Sequence, residues 1–167
     1  MANKVKSQIL VVDDEPELVK AVAKSLKFDS YDVEGASDVE TALELCKAHL
    51  FDLVIVDFKM PSMTGIELIN EIRKELPFTK SILISGFIDT ELSETEVKED
   101  LLSNIEADAY LHKPVTNEKL REAVHRLLNG PKLENWQKFA AKKVGAVKNK
   151  NSVKEDEYKM KNNTRKK

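Results

Sequence analysis

The chain has 167 residues, 41% hydrophobic and 34% charged, which suits a globular domain with a real core and some residues to spare. No apolar run approaches the ~20 residues of a membrane span and no signal-peptide core opens the chain; Cys46 is the only cysteine, so no internal disulfide is possible and a reducing cytoplasm is expected. The net charge of −2 hides a division: residues 1–130 carry 15 Lys/Arg against 25 Asp/Glu, while residues 131–167 carry 12 against 4.

Residues 9–12 are an apolar run ending in Asp13, Asp14 and Glu15, and read as a first strand. Asp14 is expected to cap the next helix, with Pro16 in its first turn and Glu17 three residues after the cap. Leu18, Val22 and Leu26 would form its apolar face. A short polar strand at about 32–36 suits a sheet edge. Ser37 and Glu40 have the spacing of a capping box, and Val39, Ala42, Leu43 and Cys46 fall on one helical stripe. Cys46 on that stripe reads as core.

Residues 53–56 are an unbroken apolar run into Asp57, with Pro61 and Gly65 just beyond. Such a run reads as a strand buried on both faces, and a carboxylate at its end lies where open α/β sheets hold their ligands. Thr64 and Glu67 again have capping-box spacing, and Ile69, Ile72 and Leu76 mark a helix that stops before Pro77. A strand over 81–84 ends in Ser85 and Gly86. Ser93 and Glu96, then Val97, Leu101 and Ile105, predict a helix over about 93–105. A strand over 109–111 leads into His112, Lys113 and Pro114, and Leu120, Ala123, Val124, Leu127 and Leu128 predict a last helix over about 117–129.

Five strands alternating with five helices predict a parallel sheet covered on both faces. Its C-terminal edge would gather carboxylates, a hydroxyl and an ammonium, a chemistry suited to a hard cation and a phosphoryl group. His49, His112 and His125 have no metal-ligand spacing.

As a set, Asp13–Asp14, Asp57 with Met60–Pro61 and Gly65, Ser85–Gly86, Tyr110 and Lys113–Pro114 resemble the receiver domain of two-component response regulators, over about residues 6–130. The resemblance implies a flavodoxin-like (βα)5 sandwich with strand order 2-1-3-4-5, followed by a basic C-terminal extension over 131–167. It implies phosphoryl transfer from a sensor histidine kinase or phosphotransfer protein to Asp57, with Mg²⁺ as cofactor. Asp14, Asp57 and the backbone carbonyl of Lys59 would bind the metal directly, and Asp13 through water. Lys113 and Ser85 would meet phosphoryl oxygens, and Ser85 with Tyr110 would form the switch. Lys59 and Phe87 hold positions that flank the phosphoryl group and would tune its lifetime. The 28 residues from Ser85 to Lys113 make a longer segment than the family usually shows, and Glu106 stands where a glycine is usual.

Other functions fit less well. A haloacid-dehalogenase-type phosphatase needs a second carboxylate two residues after its nucleophile, and that position is Lys59. No G-x-G-x-x-G follows the first strand, which excludes a dinucleotide site of that kind. Residues 131–167 are too few for the DNA-binding output domains common in the family, so a stand-alone receiver without specific DNA binding is expected. It would signal to an unknown downstream protein, with a homodimer possible, and would not itself be an enzyme. A degenerate docking scaffold is disfavoured because no phosphorylation residue is missing. Residues 133–147, with Trp136, Phe139 and flanking lysines, predict an amphipathic helix that docks on a protein surface, an anionic membrane or nucleic acid.

Overall fold

The structure, a computed structural model, describes residues 6–86, 107–129 and 142–143. Strands β1 (Gln8–Val12), β2 (Asp32–Ala36), β3 (Leu53–Asp57), β4 (Lys80–Ser85) and β5 (Ala109–His112) form one parallel sheet. Their order is β2-β1-β3-β4-β5. The helices are α1 (Pro16–Phe28), α2 (Val39–Ala48), α3 (Gly65–Glu75) and α4 (Asn117–Leu128). This is the flavodoxin-like fold, with the direction of strand addition reversing beside β1.

Side-chain alternation divides the sheet into two faces. Ile9, Val11, Leu53, Ile55, Ile82 and Ile84 pack in one cluster with Val19 and Leu26 of α1 and Leu120, Ala123 and Val124 of α4, and Ala109 and Leu111 join it. Leu10, Val12, Val54, Val56 and Leu83 alternate with these and are also buried. They face the side where α2 and α3 touch each other and the sheet. Every residue of β3 is buried, as its unbroken apolar run predicts. At about 1.5–3 kcal/mol for each fully buried aliphatic side chain, this central strand anchors the domain. β2, the polar strand, lies at an edge.

Two glycines allow close approach. A Cβ at Gly35 of β2 would lie 2.3 Å from Val19 Cγ1, so the missing side chain lets α1 settle on the strand. A Cβ at Gly65 would lie 2.4 Å from the Asp57 carbonyl oxygen and 2.7 Å from Leu83 Cδ1. Only glycine lets the first residue of α3 abut the end of β3. Ser30, between α1 and β2, has φ of 68°, in the left-handed region that disfavours residues with a Cβ.

Three expectations about helices are corrected. Asp14 does not cap α1: the N-cap is Glu15, without a side-chain cap bond. Asp13 accepts the Glu15 N–H at 2.9 Å instead. Ser37 does not cap α2. Asp38 does, accepting from Thr41 N at 2.7 Å and Thr41 Oγ1 at 2.9 Å, because an anionic acceptor at a helix N-terminus outcompetes a hydroxyl. Leu18 is 38% exposed, whereas Val19 and Leu26 are buried; α1 is rotated so that Val19, Val22, Ala23 and Leu26 meet the core. The Thr64–Glu67 capping box of α3 is present in both directions. Thr116 caps α4 through Lys119 N–H, and Arg121 of α4 forks onto the Asp29 carboxylate at the end of α1.

The chain divides into two units, Met1–Gly130 and Pro131–Lys167. The helix expected over 93–105, Phe87, and the segment 133–147 apart from Lys142 and Lys143, lie outside the described residues. Among the described residues, no helix is long and apolar enough to cross a membrane.

Candidate functional site

The alternation that builds the core also builds the site. Ile9 and Val11, Leu53 and Ile55, and Ala109 and Leu111 share one sheet face. Two residues further along each strand stand Asp13, Asp57 and Lys113. They therefore emerge together at the C-terminal edge, where the reversal of strand order opens a crevice.

There the Lys113 ammonium lies 2.7 Å from Asp57 Oδ1 and 3.4 Å from Asp13 Oδ2. The other Asp57 oxygen, Oδ2, accepts the Lys59 N–H at 3.1 Å. Asp13, Asp14 and Asp57 can each bring one carboxylate oxygen within 4.8 Å of the others. Asp13 and Asp57 are buried, at 8% and 6% exposure, whereas Asp14 is exposed. Among the described residues Asp14 has no hydrogen bond or ion pair.

The backbone fixes this geometry. Phe58 N–H donates to the Ile84 carbonyl at 2.7 Å, carrying the β3–β4 ladder one step past Asp57. Gly65 N–H donates to the Phe58 carbonyl at 2.8 Å, and Lys59 bridges to Thr64, so the loop after Asp57 is closed at its neck. On the far side, Lys113 N–H donates to the Ser85 carbonyl at 2.8 Å. Asp57 and Lys113 are thus held from opposite flanks of β4.

Electrostatics follow from partial burial. Burial is the largest influence on Asp13 and raises its pKa. The Glu15 N–H and Lys113 oppose that rise, and the Asp57 charge adds to it. For Lys113, burial disfavours the charged form, but the hydrogen bond to Asp57 and the charges of Asp13 and Asp57 outweigh it and raise its pKa. The ammonium is therefore firmly charged at neutral pH. The cluster of Asp13, Asp14 and Asp57 with Lys113 carries a formal excess of two negative charges, and Glu15 and Lys59 add one charge of each sign at the cleft of about 440 Å³ beside it. Hard oxygen donors carrying that charge suit a divalent cation of the Mg²⁺ type.

The structure brings Asp13, Asp14, Asp57, Lys59, Ser85 and Lys113 together at this edge. Ser85 lines the cleft and is 3% exposed. Lys59 is exposed at its lip. Tyr110 does not line the cleft. It pairs with Leu83 across the β4–β5 ladder, on the same face as Ser85, and its buried hydroxyl has no hydrogen-bond partner among the described residues. Glu15, at the end of the first strand, and Met60, beside Asp57, were given no role in the site from the sequence and also line the cleft. Both sit inside the stretches that carry the site and could have been found from the strand ends alone.

Residues 9–125 match the family described as the response regulator receiver domain. The response regulator ArlR of Staphylococcus aureus is 30% identical over 124 residues, covering 73% of this chain and 52% of that protein. The chain thus spans about half the length of the curated relatives it matches. A CheY-like receiver domain protein from Methanospirillum hungatei superposes with a TM-score of 0.64 at 30% identity, covering 74% of this chain and 94% of that one. The response regulator protein TrrA of Thermotoga maritima, solved in complex with Mg²⁺–BeF, superposes with a TM-score of 0.61 at 34% identity over 73% of this chain and 99% of that one. The chain belongs to the response regulator receiver domain family.

Proposed function

We propose that this receiver takes a phosphoryl group on Asp57 from a phosphohistidine of a sensor histidine kinase or phosphotransfer protein. It would then signal by changing its contacts with a downstream protein in the cytoplasm. Residues 1–130 would act as the receiver and 131–167 as a basic extension. The observation that carries the reading is the Asp57 carboxylate, buried at a strand end, 2.7 Å from the Lys113 ammonium.

In the proposed reaction an Asp57 carboxylate oxygen attacks phosphorus. A P–O bond forms as the P–N bond breaks, and the imidazole of the donor leaves. Such transfers depend on position and charge more than on covalent chemistry by the protein. Lys113 gives its ammonium to a phosphoryl oxygen, and the backbone tie to Ser85 keeps it beside Asp57. Ser85 offers its hydroxyl to another oxygen. Asp14, Asp57 and the Lys59 carbonyl would hold Mg²⁺, with Asp13 reaching it through water. When bound, Mg²⁺ supplies positive charge against the phosphoryl oxygens.

The signal would travel through Ser85 and Tyr110. Ser85 drawn toward the phosphoryl group leaves room on its sheet face, and Tyr110 lies on that face. The Tyr110 hydroxyl has no hydrogen-bond partner among the described residues, so turning the ring gives up no hydrogen bond to them. Lys59 at the lip, with Phe87, would slow attack by water and lengthen the lifetime of the phosphorylated state.

A Phos-tag gel tests the reading. Incubation with Mg²⁺ and either a small acyl phosphate donor or candidate kinases is expected to give a retarded band that EDTA prevents. No retarded band with any donor, or one that persists in EDTA, would contradict it.

A further inference from the structure

The opposite edge of the sheet holds a second polar cluster that the phosphoacceptor site does not use. Asp108, just before β5, accepts from Ser81 N at 2.9 Å and from Ser81 Oγ at 3.2 Å. Arg73 of α3 donates to the same Asp108 oxygen at 3.3 Å and to Ser81 Oγ at 3.2 Å. Lys80 reaches the other Asp108 oxygen at 3.3 Å. Asp108 N–H donates to the Ser81 carbonyl at 3.0 Å and lies 3.2 Å from Ser81 Oγ. Ser81 is 1% exposed, and its hydroxyl has its one donor and both acceptor sites engaged.

We infer that Asp108, fastened by Arg73 and Ser81, is a positioning residue that sets the register of β5 and so holds Lys113 at Asp57. β5 has four residues, all half-buried, and among the described strands pairs with β4 alone. Ala109 and Leu111 on the core face help to align this short strand, and Asp108 fixes the end at which it begins. A slip of one residue would move Lys113 by roughly 3.3 Å and turn alternate side chains to the other face. That exceeds what the 2.7 Å contact with Asp57 can absorb. The two ends of β5 are tied in turn: Asp108 to Ser81, and Lys113 N–H to the Ser85 carbonyl. Arg73 extends the tie to α3, whose first residue abuts Asp57. The two flanks of the cleft are therefore joined at both ends of the sheet.

The inference rests on the phosphoacceptor reading for its consequence but not for its first measurement. Amide hydrogen exchange in wild type, Asp108→Ala and Asp108→Asn, well below their melting temperatures, reads the clamp directly. Asp108→Ala is expected to speed exchange at Leu111 and Lys113 at least about tenfold more than at Leu10 and Ile55, whose buried amides report the global loss of stability alone, so that a local opening adds to the global one. Asp108→Asn, which keeps the neutral bonds to Ser81, should restore most of the protection. The labelling rate of Asp57 in Asp108→Ala should also fall about tenfold or more, since an ångström of misplacement can cost roughly a hundredfold. Equal exchange at Lys113 in wild type and Asp108→Ala would overturn the inference. So would uniform acceleration across the sheet with an unchanged labelling rate, the mark of a merely structural role. Local acceleration in a protein that no donor labels would keep the clamp and remove the phosphoacceptor reading.

Discussion

Aspartates stand at both edges of the sheet, and their surroundings are opposite. At the N-terminal edge the Asp108 carboxylate accepts from Ser81, Arg73 and Lys80. At the C-terminal edge Asp13 and Asp57 share one lysine, and Asp14 has no partner among the described residues. A saturated carboxylate holds the fold together. A cluster with fewer partners carries negative charge that suits an added cation. The difference marks one edge as scaffold and the other as site, with the same residue type at both.

The comparison can be broken by substituting each edge in turn. Asp108→Ala leaves the Ser81 N–H without its acceptor and removes one of the acceptors of Arg73, and should lower unfolding free energy by about 1–3 kcal/mol in urea titrations. Gly65→Ala places a methyl against the Asp57 carbonyl and should cost about 1–3 kcal/mol as well. It should also reduce labelling, because the site's loop must shift. Asp14→Asn should do the reverse in the absence of Mg²⁺. Relief of repulsion among three carboxylates makes it neutral or stabilising, by up to about 1 kcal/mol, while any stabilisation by Mg²⁺ is lost. A marked loss of metal-free stability in Asp14→Asn would contradict the view of that edge as a cluster of mutually repelling carboxylates. Ser30→Gly, far from both edges, should give the smallest effect, about 0.5 kcal/mol of stabilisation or less, as relief of the left-handed φ is offset by unfolded-chain entropy.

The pH response sharpens the same contrast. Lys113 has a raised pKa, so its stabilising pairing is present at neutral pH and is lost only as pH rises through a value above the ordinary lysine range. Labelling rates should therefore show no loss from Lys113 between about pH 7 and 9. Asp13 has a raised pKa for the opposite reason, burial of a charge. Its penalty is present above that pKa and is relieved as pH falls through it. The caps Asp38 and Glu67 have lowered pKa values, from hydrogen bonds to Thr41 and Thr64. They stabilise above the ordinary carboxylate range and weaken as pH falls through their folded values. Acid titration of Asp13→Asn beside Asp38→Asn should separate the two trends.

Much of this was legible in the sequence for physical reasons. The run into Asp57 admits little but a doubly buried strand, and parallel strands carry their C-terminal residues to one edge, so Asp13, Asp14, Asp57, Ser85 and Lys113 converge without further information. What was missed depends on three-dimensional competition. Leu18–Val22–Leu26 and Val19–Ala23–Leu26 are both plausible helical stripes, and the contact of Val19 with Gly35 decides between them. Asp14 looks like a cap until Asp13 takes the Glu15 N–H. Asp108 is one acidic residue among many, and its role depends on Arg73, thirty-five positions earlier.

The most direct test of the central claim is phosphoryl labelling of Asp57→Asn beside wild type. The substitution keeps shape and removes the attacking carboxylate, so wild type should label in the presence of Mg²⁺ and the variant should not, with both giving the same far-UV circular dichroism. Undiminished labelling of a folded Asp57→Asn protein would contradict the assignment of Asp57 as the phosphoacceptor.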